Sequence, residues 1–331
     1  MQTKIEQQST IKLSTSTQKL LRCPVCRNPL EVSGDTYRCV GAKCHSQFPV
    51  VHGIPVLIDE RASIFSIEDF VKQRSTYREI NSDPSRSKVK QILKRFLPDI
   101  GKNLKSQKNY EQFAQLLFSS SERPNVLVIG GSVLGDGLEV LLQYETIEFI
   151  ESDISFGPRT SLICDAHSLP FASNSLDGVV IQAVLEHIVD PWRCCEEIHR
   201  VLKPEGLVYA ETPFMQQVHG GRYDFTRFTH LGHRRLFRKF EEIESGAVCG
   251  PGMALAWSYR YFLLSFTQSK LARLLIELFV RFTAFYLKYF DYWLLNKPGT
   301  FDAASAYYFI GKKSDQVLSD RELIQLYKGA L

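Results

Sequence analysis

The sequence lacks the features that would place it in several common classes of protein. Its N-terminus is polar and has no apolar core of the kind that a signal peptide requires. No uncharged apolar run is long enough for a membrane-spanning helix. The net charge of +4 over 331 residues is too small to indicate nucleic-acid binding by itself. We therefore expect a cytoplasmic globular protein, in which the eight cysteines stay reduced and serve as ligands or core residues rather than as disulfides.

The most informative stretch begins at 162, where short apolar strands alternate with a helix. A strand that ends at Asp165 is followed by a Pro-containing loop, an apolar strand at 178–183, a helix with apolar positions at helical spacing, and a strand at 207–210. Such alternation predicts parallel strands joined by crossovers. In parallel sheets, ligands bind outside the carboxyl ends of the strands. The residues that fall at that edge are Asp165, 182–187 and 211–214.

Four motifs in this stretch, D-A-x-x-L-P-F, L-D-x-V, L-E-H and R-V-L-K-P-x-G, occur in this order. Together they resemble the second half of class I S-adenosylmethionine-dependent methyltransferases, of the branch that includes ubiquinone and menaquinone biosynthesis enzymes. The resemblance implies an α/β fold with a Rossmann-like, seven-stranded, mostly parallel sheet and helices on both faces. It also implies S-adenosylmethionine as the cofactor and methyl transfer as the activity.

Four cysteines near the N-terminus have the spacing of a metal-binding ribbon. Cys23 and Cys26 form a C-x2-C pair, and Cys39 and Cys44 form a C-x4-C pair after a gap of twelve residues. Two close pairs on separate turns supply the four thiolates of a tetrahedral, structural zinc ion. With the following F-P-V-V-H-G-I-P-V-L, this unit resembles the zinc-ribbon family best known as an activating partner subunit of RNA and protein methyltransferases. The four-residue gap before Cys44 departs from the commoner gap of two.

A glycine-rich turn follows the strand predicted at 125–129. Glycines allow the backbone to approach a ligand closely, and the helix that follows presents its N-terminus beside it. The methyltransferase family usually has an acidic residue where this chain has Val128 and a glycine where it has Ser132. The methionine ammonium of the cofactor would therefore be held differently here. By resemblance the cofactor contacts are Gly130, Gly131, Gly135, the ribose acceptor Asp153 (with Glu151 as the alternative), the adenine contact Asp165, Ala166, Gln182 and Leu185.

The polar loop that begins at 211–214 is expected to cover the active site and to select the acceptor. Methyl transfer to oxygen or carbon gains from a base that removes a proton, and His219 and Asp224 are the candidates. An equally good interpretation of Asp224 is a local ion pair with Arg227. Glu186 and His187, by resemblance, are expected to have structural or cofactor-orienting roles rather than to act as a base.

Changes in composition divide the chain into four parts. We predict a disordered tail at 1–20, the zinc ribbon at 21–60, a charged helical linker or cap at 61–122 and the methyltransferase domain at 123–331. A helical insertion at 255–297 is rich in aromatic residues, and its charged residues fall on one narrow stripe. Packing against the sheet, contact with a membrane surface and contact with a second copy in a homodimer are all open interpretations of this insertion.

These features predict methyl transfer to a small or lipid-linked acceptor, such as a glycan precursor, an isoprenoid or a quinone-like compound. The apolar insertion favours this hypothesis and predicts a location in the cytoplasm, peripheral to the inner face of the membrane. Two alternatives stay open. One is an rRNA or tRNA methyltransferase that contacts RNA through the zinc ribbon, and the other is a methyltransferase fold without catalysis that acts as a scaffold, which Val128 and Ser132 would explain.

Overall fold

The computed structural model describes residues 11–76 and 97–330 and is built around one mixed β-sheet. In chain order the strands are β1 (Leu30–Ser33), β2 (Thr36–Cys39), β3 (Gln47–Val51), β4 (Ile54–Leu57), β5 (Asn125–Ile129), β6 (Glu148–Asp153), β7 (Leu162–Cys164), β8 (Leu176–Gln182), β9 (Leu202–Pro213), β10 (Phe240–Cys249) and β11 (Ala306–Lys313). They lie side by side in the order β1-β2-β3-β4-β7-β6-β5-β8-β9-β11-β10.

The sheet combines a parallel centre with antiparallel ends. Pairing is parallel from β7 through β6, β5 and β8 to β9, and antiparallel where β11 enters between β9 and β10. At the opposite end β4 pairs parallel with β7, with Val56 opposite Ile163, so the four N-terminal strands extend the same sheet. The expected Rossmann-like α/β fold is confirmed, but the described sheet has eleven strands rather than seven, because the N-terminal unit adds its strands to the edge.

Helices cover both faces of this sheet. Within the described residues they are α1 (Thr15–Leu20), α2 (Ile67–Val71), α3 (Ser106–Ser120), α4 (Pro191–Val201), α5 (His230–Leu236), α6 (Pro251–Leu264), α7 (Lys270–Ala284), α8 (Leu287–Leu294), α9 (Thr300–Ala303) and α10 (Asp320–Ile324). Short 3-10 segments lie at Leu138–Gln143, Leu185–His187 and Gly221–Tyr223.

Alternate residues of the central strands face two hydrophobic cores. Leu127 of β5 belongs to the core that includes Ile198 of α4, whereas Val128 belongs to the core that includes Phe113 of α3. Strands buried on both faces are apolar along most of their length, as β5 and β8 are. Polar side chains therefore gather beyond the carboxyl ends of the strands, where the functional site lies.

The N-terminal residues are closely joined to the α/β part. Helix α1 lies inside the segment that we expected to be a disordered tail, and Ser14 caps it by accepting a hydrogen bond from Thr17 N at 3.1 Å. Leu21 then bridges to Phe171, in the loop after β7. The segment predicted as a linker contains α2 and α3, while the charged segment at 88–96 lies outside the described residues.

Helices α6 to α8 expose many apolar side chains to solvent, unlike an ordinary surface helix, which exposes mainly polar ones. Several of their charged side chains are at least partly buried: Arg260 of α6 pairs with Glu277 of α7 at 2.6 Å, and Arg281 donates to the Pro98 carbonyl at 3.2 Å, whereas Lys270 and Arg273 are exposed. The apolar side chains face outward instead. We call this surface the aromatic face, and its exposed residues are Leu255, Phe262, Phe266, Leu271, Leu274, Leu275, Phe279, Phe282, Tyr286, Tyr289, Phe290, Tyr292 and Trp293. None of the helices in the described part of the chain is both long and apolar enough to cross a membrane.

Candidate active site

A cavity of about 450 Å³ opens at the carboxyl ends of β5 to β9. Its wall consists mainly of the loops that follow these strands, and the linker segments at 64–65 and 101–103 close part of it. A volume of this size falls within the range of small-molecule and cofactor sites. The parallel centre of the sheet thus forms a site at the edge that the strand order predicts.

The turn after β5 brings backbone rather than side chains to this cavity. Gly130 has a φ of 80°, a left-handed conformation that favours glycine, and a Cβ there would lie 2.3 Å from Val184 Cγ2. A Cβ on Gly135 would lie 1.8 Å from Gln182 Oε1. Gly130 therefore requires glycine for its backbone conformation, and a side chain at position 135 would displace the Gln182 amide. The resulting cradle, which a Cβ would fill, fits a cofactor that lies against the backbone.

Two aspartates at the ends of neighbouring strands line the cavity. Asp153 ends β6 and accepts a hydrogen bond from Ser132 N at 3.0 Å. Asp165 directly follows β7, and His167 Nδ1 lies 2.6 Å from its Oδ1. Although burial works against it, His167 and Ser63 lower the pKa of Asp165. An ionised carboxylate at each position is suited to accept hydrogen bonds from the hydroxyl or amino groups of a ligand.

Glu211, at the end of β9, is a buried carboxylate that the sequence places at the ligand-binding edge without predicting a role for it. Its Oε2 accepts hydrogen bonds from Asn103 Nδ2 and Gln182 Nε2, both at 2.8 Å, and its Oε1 accepts one from the Tyr209 hydroxyl. Burial raises the pKa of Glu211 to about 7 even though these hydrogen bonds lower it. Glu211 and Val128 line the same cavity, so a carboxylate is present there although the first strand lacks one.

The loop after β9 folds back and brings His219 to the 3-10 turn Leu185–His187. Glu186 in this turn is fully buried, and neither of its carboxylate oxygens has a hydrogen-bond partner. His219 Nε2 and His187 Nε2 lie 3.5 Å and 3.6 Å from Glu186 Oε1. The neighbouring Glu186 raises the pKa of His219, whereas burial lowers the pKa of His187. The three side chains form one cluster in the cavity wall, where the loop expected to select the acceptor meets the turn after β8.

Asp224 contacts the backbone next to this cluster and holds the loop after β9 in its conformation. Its carboxylate pairs with Arg227 and accepts hydrogen bonds from the backbone N–H of His219 at 2.8 Å and of Gly220 at 3.2 Å. Although burial works against it, these contacts hold the pKa of Asp224 well below its usual range. A carboxylate so strongly stabilised is a weak base, and the ion pair with Arg227, the alternative interpretation, is present.

The cavity brings together most of the predicted site residues, but not all of them. Leu185 is buried in the hydrophobic core, Gly131 donates its N–H to the Ser152 carbonyl at 2.9 Å, and Glu151 pairs with Arg159. Among the described residues that line the cavity are the predicted Gly130, Gly135, Asp153, Asp165, Ala166, Gln182 and His219, the residues Glu186, His187 and Glu211 that were expected at this edge without a catalytic role, and the unforeseen Phe65 and Asn103.

Cys23, Cys26, Cys39 and Cys44 meet in a separate cluster. Their sulfur atoms all lie within 4.8 Å of one another, with Cys26 and Cys39 Sγ 3.3 Å apart. Asn28 Nδ2 and the backbone N–H of Gly41 donate to two of the sulfurs at 3.3 Å and 3.4 Å. Such donors stabilise thiolates, so the donor set fits a tetrahedral metal ion of structural type. Because no further side chain is needed, His45 and His52 need not take part.

Comparison with known proteins defines the class of the α/β part. Residues 142–210 match the family model described as a methyltransferase domain. The chain therefore carries a methyltransferase domain of Rossmann-like fold. It spans only about a quarter of the length of the curated methyltransferases that it matches, 26% in one case.

Other similarities are shorter or weaker. Over 88 residues the chain is 35% identical to the human mitochondrial arginine-hydroxylase NDUFAF5, a stretch that covers 22% of this chain and 26% of that protein. One chain of a solved complex between the Haloferax volcanii Trm112 methyltransferase activator and a methyltransferase matches with 18% identity and a TM-score of 0.39, covering 63% of this chain and 92% of that one.

A second family accounts for another similarity. Over 57 residues the chain is 32% identical to the UPF0434 protein of Pseudomonas savastanoi pv. phaseolicola, which covers 17% of this chain and 93% of that protein. Over these 57 residues the chain belongs to the UPF0434 family.

Proposed function

We propose that this protein transfers a methyl group from S-adenosylmethionine to a small or lipid-linked acceptor. The observation that carries the proposal is the cavity itself, where a glycine cradle and two aspartates at strand ends occur together in a methyltransferase domain. In this proposal Asp153 holds the ribose hydroxyls and Asp165, with Ala166, lies against the adenine. When bound, S-adenosylmethionine supplies a methyl group that is activated by a positively charged sulfur.

Glu211 replaces the acidic residue that is missing at Val128. A carboxylate is suited to the positive amino group of the cofactor because the ion pair is strengthened by burial and by direct hydrogen bonds. The amides of Asn103 and Gln182 fix the Glu211 carboxylate at the cavity wall. The pKa of Glu211 then falls when the amino group binds, since a nearby positive charge favours the ionised form.

The acceptor enters from the side of His219. Met253 of α6 lines the cavity, Trp257 makes an edge-to-face contact with His219 at 6.2 Å, and Tyr261 donates to the Val218 carbonyl at 3.0 Å. Helix α6 therefore borders the cavity on the acceptor side and also contributes to the aromatic face. An acceptor with an apolar tail would place its reactive group in the cavity and its tail on the aromatic face.

Zinc in the Cys23, Cys26, Cys39 and Cys44 cluster has a structural role in this proposal. Because β4 continues the sheet that carries the cavity, a metal that stabilises the ribbon also stabilises the edge next to β7. Such an ion would have no open coordination position and would take no part in methyl transfer.

Calorimetry with S-adenosylmethionine and with its demethylated product tests the cofactor part of the proposal. We expect saturable binding of both, weakened by Asp153→Asn and unchanged by Glu151→Gln, since only Asp153 lines the cavity. Absence of saturable binding would favour the second candidate function, a methyltransferase fold that acts as a scaffold; the lack of an acidic residue at Val128 is the observation that favours it.

Vesicle flotation tests the lipid-linked part. Trp293 and Phe266 on the aromatic face are 72% and 75% exposed, so their replacement by serine should reduce binding to vesicles without unfolding the protein. Ile324 is 60% exposed on α10, outside the aromatic face, and Ile324→Ser is the matched control. Vesicles of phosphatidylcholine, with and without phosphatidylglycerol, separate apolar from electrostatic attraction. If all variants float to the same extent as the wild type, or if the wild type does not float at all, the lipid-linked acceptor is refuted and a water-soluble acceptor is the remaining possibility.

A further inference from the structure

We propose that Glu186, His187 and His219 form a binding site for a divalent transition-metal ion at the acceptor end of the cavity. All three residues line the cavity, and their ligand atoms lie within 4.8 Å of one another. This inference concerns the acceptor end of the proposed active site, but it does not depend on methyl transfer. It also differs from the cysteine cluster in chemistry, because the ligands are two imidazoles and one carboxylate.

The first argument is that the buried Glu186 carboxylate lacks hydrogen-bond partners. Its side chain is fully buried, and neither oxygen has a hydrogen-bond partner. A buried carboxylate without hydrogen bonds is costly, so proteins compensate such groups with a positive charge or a metal ion. The imidazole nitrogen His219 Nε2 lies 3.5 Å from Glu186 Oε1, beyond a good hydrogen-bond length, so it does not by itself satisfy the carboxylate.

The second argument is distance. Ligand nitrogen and oxygen atoms that share one zinc-like ion at about 2.1 Å in tetrahedral geometry are about 3.4 Å apart. Glu186 Oε1 lies 3.5 Å from His219 Nε2 and 3.6 Å from His187 Nε2. These separations are too long for direct hydrogen bonds, but they match a shared ion.

The third argument is the orientation of the two imidazole rings. His187 Nδ1 lies 2.9 Å from the Tyr223 carbonyl, and His219 Nδ1 lies 3.1 Å from the Gln217 carbonyl. A carbonyl accepts, so each Nδ1 is assigned the hydrogen, and each Nε2 presents its lone pair toward Glu186. Backbone carbonyls that hold the remote nitrogen of a metal-binding histidine are a general feature of such sites.

Two imidazoles and one carboxylate suit zinc, iron(II), cobalt(II) or manganese(II) better than calcium, which prefers oxygen ligands alone. Three protein ligands leave positions open, as in metal sites that bind a further ligand. These positions would face the cavity, where the oxygen atoms of an acceptor fit. The acceptor class that the site would take is therefore a molecule with hydroxyl or carboxylate groups.

Manganese titration of the full-length protein tests the site. Mn²⁺ prefers nitrogen and oxygen ligands to thiolates, so the cysteine cluster does not compete for it. The electron paramagnetic resonance signal of free Mn²⁺ measures binding directly and needs neither cofactor nor acceptor. We expect saturable binding of one Mn²⁺ per chain, weakened at least about tenfold by Glu186→Gln and by His219→Gln. His199→Gln is the control, because His199 does not line the cavity and its Nε2 contacts the Ser314 carbonyl at 3.0 Å.

Cobalt binding provides a second measurement. Co²⁺ at this site should add weak visible bands that Glu186→Gln removes, whereas the cysteine cluster gives the intense bands of thiolate ligation. The inference is overturned if neither Mn²⁺ nor Co²⁺ binds outside the cysteine cluster, or if Glu186→Gln and His219→Gln bind both ions as tightly as the wild type. A protein that binds Mn²⁺ but not S-adenosylmethionine would support the metal site and refute the proposed function. A protein that binds S-adenosylmethionine but not Mn²⁺ would refute the metal site and leave the proposed function standing.

Discussion

Replacement of Glu211 by glutamine should stabilise the cofactor-free protein, and the gain should depend on pH. Burial raises the pKa of Glu211 from the ordinary 4.5 to about 7 in the folded protein. Between these pH values the folded state holds a proton that the unfolded chain has lost. The stability contribution of Glu211 therefore becomes less favourable as pH rises from 4.5 to 7 and stays constant above that range.

The magnitude follows from the shift in pKa. A difference of about 2.5 pH units corresponds to about 3 kcal/mol of destabilisation above neutral pH. Glutamine removes the charge but places an amide where Asn103 and Gln182 both donate, so part of the gain is lost. We therefore expect Glu211→Gln to raise the free energy of unfolding by about 1–3 kcal/mol at pH 8 and by less than about 1 kcal/mol at pH 5.

Denaturant and thermal unfolding at pH 5, 6, 7 and 8 measure this difference (values chosen to bracket the shifted pKa of about 7). Glu111→Gln is the matched control, since Glu111 is exposed on α3 and its replacement should change stability little at any pH. A difference between Glu211→Gln and wild type that is the same at pH 5 and pH 8 would refute the shifted pKa.

The same variant also tests the role that we propose for Glu211. Ligand binding stabilises the folded state by mass action, so S-adenosylhomocysteine should raise the unfolding temperature of the wild type. Glu211→Gln should be more stable without the ligand, yet gain less from it, because the negative partner of the amino group is absent. If the variant gains as much as the wild type, the amino group is held elsewhere.

Three further predictions concern the two binding sites. Cys39→Ser should release zinc and lower the unfolding temperature, as measured by metal analysis and calorimetry on the same sample. Gly135→Ala should weaken S-adenosylhomocysteine binding by about tenfold or more, because a Cβ would lie 1.8 Å from Gln182 Oε1; Gly299→Ala, where a Cβ meets nothing within 4 Å, should not. Asp153→Asn should weaken the same ligand by about ten- to a hundredfold, the loss of a charged hydrogen bond, with adenosine alone losing a comparable factor.

The sequence could predict those parts of the site whose residues lie close together along the chain. The cysteine pairs and the glycines after β5 are short patterns, and each reflects a requirement within one turn of chain. The choice between Glu151 and Asp153 depends on residues farther along the chain. In the structure Asp153 lines the cavity, whereas Glu151 pairs with Arg159.

Other features depend on contacts between distant segments and could not be read from the sequence. Glu211 gains its raised pKa from burial against residues of the linker and of β8. The cluster of Glu186 and His219 forms only because the loop after β9 folds back. The extension of the sheet by β1 to β4 was not predicted for the same reason, since nothing in the sequence of β4 indicates that it pairs with β7.

The position of β11 has a consequence for biosynthesis. This strand lies between β9 and β10, yet it follows both of them along the chain. Until residues 306–313 are made, β10 has no neighbour in the sheet and β9 has one open edge, while the aromatic face is already exposed. Open edges and apolar surface together favour aggregation. Nascent chains of this protein should therefore be most dependent on chaperones, or on an early contact with lipid, between the synthesis of β10 and the synthesis of β11.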